Sequence, residues 1–225
     1  MDEASYWKLF QSMEIEVNRA IALFFMADEI NNLARDNPLL LKHLNEAPEF
    51  WLTQRYAFDI AFHIELNKIF DTGKDVRSIH GLLQATVNNS NFFSKDALGV
   101  RKSLGATKPD WLDKYLDEVV EPTQVDLTSL RNALSPFANK MNQVYAPIRN
   151  KIVAHNILKE TSESDALFAK TNLDDIMELL YFLHDIMQNL WHLFHNGEIP
   201  KLGSSDRNFH ERNRQEVKRA LQRLC

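Results

Sequence analysis

The sequence predicts an all-α fold, an up-and-down helical bundle, from three observations. Apolar residues recur three and four apart over long windows, which is the period of a helix face and not of a strand. Glycine is scarce, 6 residues in 225, so the closely spaced tight turns of an all-β chain are missing. Hydrophobic residues make up 44% of the chain, with 14 Phe and 4 Trp, enough to build a substantial core.

The first helix is expected from about Ala4 to Ala34. Phe10, Met13, Val17, Ala20, Phe24 and Ala27 form one stripe, widened by Ile21 and Phe25. Asn37-Pro38 ends it, because the residue before proline avoids the α region. A second long helix is expected from Pro48, which suits a first turn, to Asp71. Its apolar residues, from Phe50 and Trp51 to Ile69 and Phe70, cover most of the circumference, the pattern of a central helix. Arg55, Asp59, His63 and Asn67 interrupt them as a ladder spaced four apart. Two readings of that ladder stand. It is a self-satisfied seam, Arg55 with Asp59 and Asp59 with His63. Or it borders a cleft and meets the stretch from Arg149 to His155.

A shorter helix is expected from about Asp75 to Asn88, and another from the N-cap Ser94 to about Leu104, stopped by Gly105. Pro109 opens a helix or turn with Trp111 and Tyr115. Asp126 is read as the N-cap of a long helix running toward Leu158, with a stripe of Leu130, Leu134, Phe137 and Met141. Pro136 and Pro147 interrupt it, each removing a backbone donor and kinking or ending the helix. The polar stretch from Lys159 to Thr171 is a loop. The last core helix runs from Asn172 to Asn196, with Gly197 placed to end it. A linker, Gly203-Ser204-Ser205, leads to a basic helix from Asp206 to Leu224, whose edge is Val217, Leu221 and Leu224. That helix reads either as a docked amphipathic element or as an arm contacting phosphates. The expected organisation is one helical domain over residues 1–203 and a basic helical extension over 204–225.

Composition excludes several classes. The one cysteine, Cys225, rules out a disulfide framework and fits a reducing cytoplasm, the expected location. The first residues, MDEASYW, are acidic and unlike the basic start of a secretion signal. The apolar run Ala20 to Ala27 is too short to span a bilayer, and the longer run to Phe194 carries Glu178, His184, Asp185, Gln188 and His192. No membrane contact is expected. The net charge of −5 gives no overall basic footprint, so contact with RNA would need a local patch. There is no Walker loop or dinucleotide fingerprint, and no cofactor is expected. His192 and His195 are three apart on a helix but read as packing residues, so no metal site is expected.

The stretch Tyr145 to Asn156, YAPIRNKIVAHN, carries the chemistry. Arg149 can grip a phosphate through two N–H groups, and His155 can exchange a proton near neutral pH. Asn150 can orient a phosphate oxygen or the imidazole. RNA brings its own nucleophile, the 2′-OH, so cleavage needs only proton removal and charge stabilisation. On an ideal helix, six residues separate Arg149 from His155 by about 120° and about 9 Å along the axis. One chain does not readily bring both onto one phosphate, whereas a two-fold dimer can.

An Arg, a polar residue, four more residues and a His, late in a helix of an all-α bundle, resembles the HEPN superfamily. Phe50-Trp51, Ile69-Phe70-Asp71, Ser78-Ile79, Leu82-Leu83, Phe93-Ser94, Leu98 and Arg101-Lys102 look like its abortive-infection AbiU-type branch. The resemblance covers roughly Phe50 to Phe194. It implies a HEPN-like bundle and a metal-independent endoribonuclease of toxin or phage-defence type. Arg149 and His155 would then be catalytic, and Asn150 supporting, at a composite homodimer site. An antitoxin protein is among the implied partners. Other members are noncatalytic modules that bind RNA or nucleotides, and a purely structural interaction protein is a further alternative. Some members pair with a nucleotidyltransferase that modifies a Tyr just after the motif. Here Asn156 and Ile157 follow His155, so that site is absent.

Overall fold

The computed structural model describes residues 1–73, 76–103, 108–148 and 172–222. Every regular element among the described residues is a helix. None of these helices is long and apolar enough to cross a membrane. By its contacts the chain divides into two compact units. One holds Met1–Glu14, Ile69–Met141 and Leu173–Ser205, and the other holds Ile15–Lys68, Asn142–Asn172 and Asp206–Cys225.

Helix α1, Glu3–Asp36, supplies residues to both units. In the first unit it is joined by α4 (Ile79–Asn88), α5 (Lys95–Lys102), α6 (Leu112–Glu118), α7 (Gln124–Asn132), α8 (Ser135–Lys140) and α10 (Leu173–Asn196). Its core holds Tyr6, Phe10, Leu82, Leu83, Phe93, Leu190 and Phe194, all buried. Tyr6 lies edge-on to Phe93 and shares a hydrogen bond of 3.0 Å with Thr86, whose hydroxyl donates to the Leu82 carbonyl. Ser78 caps α4 by accepting from the Gly81 amide, so that helix begins later than the expected Asp75. Ser94 caps α5 as expected.

The expected stop at Gly197 is present. Its φ is +64°, and a Cβ there would lie 2.6 Å from Val119 Cγ1 and 2.8 Å from Leu98 Cδ2. Only glycine tolerates both the backbone and the space. After it, Asp185 of α10 holds the following loop. Its buried carboxylate accepts from the Gly203 amide, the Ser205 amide and hydroxyl, and Asn189 Nδ2. Asn189 Oδ1 in turn accepts from the Lys201 amide.

In the second unit α1 packs with α2 (Pro38–Leu44), α3 (Pro48–Ile69) and α11 (Glu211–Leu221). Helix α2 lies between Asn37 and Pro48, where no helix is expected from the sequence. Asn37 both ends α1 and caps α2, accepting from the Leu39 and Leu40 amides. Leu40 and Leu44 form a cluster with Val217 and Leu221 of α11, backed by Met26, Ile30, Leu33 and Trp51. Further along, Phe24 lies against Phe25 and Phe62, and His210 stacks on Phe25 at 4.0 Å.

Helix α3 departs from the expected central position. Phe62, Leu66 and Ile69 are buried, but Phe50, Leu52 and Tyr56 are more than half exposed. Its neighbours cover one face and leave the first half of the helix open, although the sequence is apolar nearly all round.

Candidate functional site

The chain reaches the motif through a broken helix. Thr123, not the expected Asp126, is the N-cap of α7. Asp126 sits at the third position and completes a capping box, accepting from the Thr123 amide while Thr123 Oγ1 accepts from its own. The helix breaks after Asn132 and restarts at Ser135, with Pro136 in the first turn, where its missing N–H costs nothing. Met141–Tyr145 is then a single π-helical turn, followed by one α turn, α9 (Ala146–Ile148). Pro147 supplies the reason. It has no N–H for the Gln143 carbonyl, and its ring would collide with that carbonyl in a regular helix. A wider turn immediately before it relieves both problems, and such turns recur at functional sites. The described stretch ends at Ile148, immediately before Arg149. Arg149, Asn150 and His155 lie outside the described residues.

What precedes the motif is firmly seated. Tyr145, four residues before Arg149, is 1% exposed, and its ring lies 6.3 Å from that of His63 on α3. Tyr145 continues the stripe of Leu134, Phe137 and Met141 by one step of four. That spacing was the signal by which it could have been found. His63 is half-buried, its ring 5.6 Å from that of Phe62. Burial holds its pKa below the ordinary histidine value, so it is neutral near pH 7. Its Nδ1 is buried without a hydrogen-bond partner among the described residues.

The ladder on α3 is therefore not the self-satisfied seam of the first reading. Neither Arg55 nor Asp59 makes a hydrogen bond or ion pair among the described residues. Asn67 turns back to donate to the His63 carbonyl at 2.7 Å. The Asp59 carboxyl is raised by desolvation, with Arg55 opposing that shift from a distance. Arg55 instead lines a cavity of about 220 Å³ whose walls include Ile30, Ala34, Leu44, Trp51 and Phe58.

A second polar group joins α1 to α3. The buried Glu65 accepts from Lys68 at 3.0 Å and Arg19 at 3.4 Å, and Glu16 lies within the same ion-pair network. Hydrogen bonding to Glu65 raises the Glu16 carboxyl. That of Glu65 is lowered, because its bonds to Glu16 and Lys68 outweigh the effect of burial. Two carboxylates and two cations arranged so make a structural tie between the helices.

The basic terminal helix is docked. Arg214 donates to Asp28 at 2.8 Å and to Glu29 at 3.4 Å, and Lys218 lies 3.5 Å from the buried Glu29. Arg212 pairs with Glu216 one turn on. These charges are spent within the chain, which supports the docked amphipathic reading over a free phosphate-binding arm. On α10, His192 bonds Asn196 and faces Glu198, and His195 is held between Trp7 and Trp191. Among the described residues no group of three or more His, Cys, Asp or Glu could hold a metal ion.

Over residues 6–221 the chain matches the AbiU2 family of HEPN domains, HEPN_AbiU2, and it belongs to that family. No curated protein and no solved structure matches it.

Proposed function

We propose that this AbiU2-family chain is a metal-independent endoribonuclease of phage-defence or toxin type, acting at a site shared by two copies. One observation carries the reading. The sequence Arg149-Asn150, four residues, His155 follows, after one α turn, a π-helical turn whose last residue, the buried Tyr145, lies beside the half-buried, neutral His63. A lead anchored by a buried side chain supports a role in which the aim of two side chains matters.

In this reading His155 takes the proton from the 2′-OH of RNA, and the oxygen attacks the adjacent phosphorus. The 5′-oxygen leaves and is protonated, and a 2′,3′-cyclic phosphate remains. Arg149 holds the phosphate oxygens as their charge grows, and Asn150 orients one of them or the imidazole. The angular separation of Arg149 and His155 on one helix supports pairing the Arg of one chain with the His of another.

The test uses labelled RNA and three proteins: wild type, Arg149→Ala and His155→Ala. Cleavage by the wild type and loss of at least about a hundredfold in each variant is expected, the range for removing a general base or an oxyanion donor. A variant that cleaves at the wild-type rate refutes the assignment. RNA that is bound but not cut moves the protein to the noncatalytic binding module.

A further inference from the structure

Helices α1, α2 and α3 of the second unit enclose a cavity of about 220 Å³. Its apolar wall includes Ile30, Ala34, Leu44, Trp51 and Phe58. Among the described residues that line it, Arg55 alone is charged, and Asn31, Asn45 and Gln54 add neutral amides. Arg55 is exposed and has no hydrogen bond or ion pair among the described residues. An apolar hollow with one unpaired cation on its wall has the build of a small-molecule site. Burial of an apolar body supplies affinity there, and a few placed polar groups set the orientation.

We propose that this cavity binds an amphipathic monocarboxylate, with the apolar body inside and the carboxylate on Arg55. Charge selects the head group. The guanidinium offers two parallel N–H groups, which match the two oxygens of a carboxylate. No second cation lines the cavity among the described residues, and Asp59, one turn along α3, brings the opposite sign close to Arg55. A phosphate dianion or a polyphosphate would be left undercompensated, whereas a monocarboxylate is matched charge for charge. Volume selects the body. An apolar cavity of about 150 Å³ holds one benzene, so 220 Å³ in proportion holds about nine carbon atoms. The wall also ties the ligand to the terminal helix. Leu44 belongs to the cluster with Val217 and Leu221 of α11, and Ile30, Ala34 and Trp51 pack against that cluster. A body filling the cavity braces these side chains from the other side, and a ligand that binds only the packed form stabilises it.

The experiment titrates the full chain with decanoate, kept below its micelle-forming concentration, by isothermal titration calorimetry. Decanoate should bind one to one. Arg55→Gln, a change at an exposed side chain, should weaken binding by at least about tenfold, because the charge-assisted pair is lost. Decylamine, with the same tail and the opposite charge, should bind at least about tenfold more weakly than decanoate. Ala34→Phe should fill the cavity and abolish binding, with helix content unchanged by circular dichroism. Hydrogen exchange of the α11 amides should slow at saturating decanoate. Absence of decanoate binding overturns the proposal, as does equal binding by Arg55→Gln or of decylamine. Binding that survives Ala34→Phe, or that leaves α11 exchange unchanged, puts the ligand elsewhere and overturns it too. Displacement of decanoate by AMP would overturn the choice of a monocarboxylate. None of these readouts uses RNA, so they hold whether or not the chain cuts it.

Discussion

Replacing Asp185 with alanine should loosen the end of the first unit. Its carboxylate is 5% exposed and is the acceptor for four donors: the Gly203 and Ser205 amides, the Ser205 hydroxyl and Asn189 Nδ2. Hydrogen bonds to a charged group contribute about 1.5–3 kcal/mol each when well buried. The loop donors are only partly buried and water replaces some of them, so about 1 kcal/mol per lost bond is the better figure. Asp185→Ala should then cost about 3–4 kcal/mol. In a chain of this size that is about 6–16 °C in Tm. Asp185→Asn is the sharper variant. It keeps the shape, but its NH₂ must face an amide that is itself a donor, so it should recover only a small part of the loss. Urea unfolding gives the free energies, and hydrogen exchange at Gly203 and Ser205 shows whether the loop has opened. A loss below about 1 kcal/mol in both variants, with those amides still protected, would refute the claim that Asp185 holds the loop.

Cleavage should persist in EDTA and leave 2′,3′-cyclic phosphate ends; loss on chelation, restored by zinc or magnesium, would contradict attack by the 2′-OH without a metal. Mixing inactive Arg149→Ala and His155→Ala chains should restore partial activity, since a mixed pair retains one usable Arg and one usable His; no recovery in a pair shown to exchange subunits would count against the shared site. Stability should fall as pH drops from about 7.5 through 6.5, the ordinary histidine value. Burial lowers the pKa of His63, His80, His195 and His210, and nearby Arg101 and Arg214 add to the effect at the last two. The unfolded chain then takes up protons that the folded chain refuses, so stability is complete above about 6.5 and lost toward the lower folded values. A Tm that is flat or rises between pH 7.5 and 5.5 would show these imidazoles to be freely solvated.

The sequence alone determined the helices and several of their ends. Stripes spaced three and four apart are local in the chain, so α1, α3 and α10 could be read within a few residues. So could the punctuation at Asn37-Pro38, Ser94 and Gly197, where a single residue's backbone or side chain decides the outcome. The motif from Arg149 to His155 was legible for the same reason, as an order of chemical groups along the chain. Tertiary structure decided what depends on distant partners. Period cannot tell which apolar face of α3 is covered, because that depends on where α1 and α2 lie. It cannot tell that Arg55 and Asp59 stay apart, that Tyr145 meets His63 across 82 positions of sequence, or that the charges of the terminal helix are met by Asp28 and Glu29. A helix as short as α2 buries only Leu40 and Leu44, too few residues to establish a period. It exists because Asn37 caps it and the cluster with Val217 and Leu221 gives those two leucines somewhere to go.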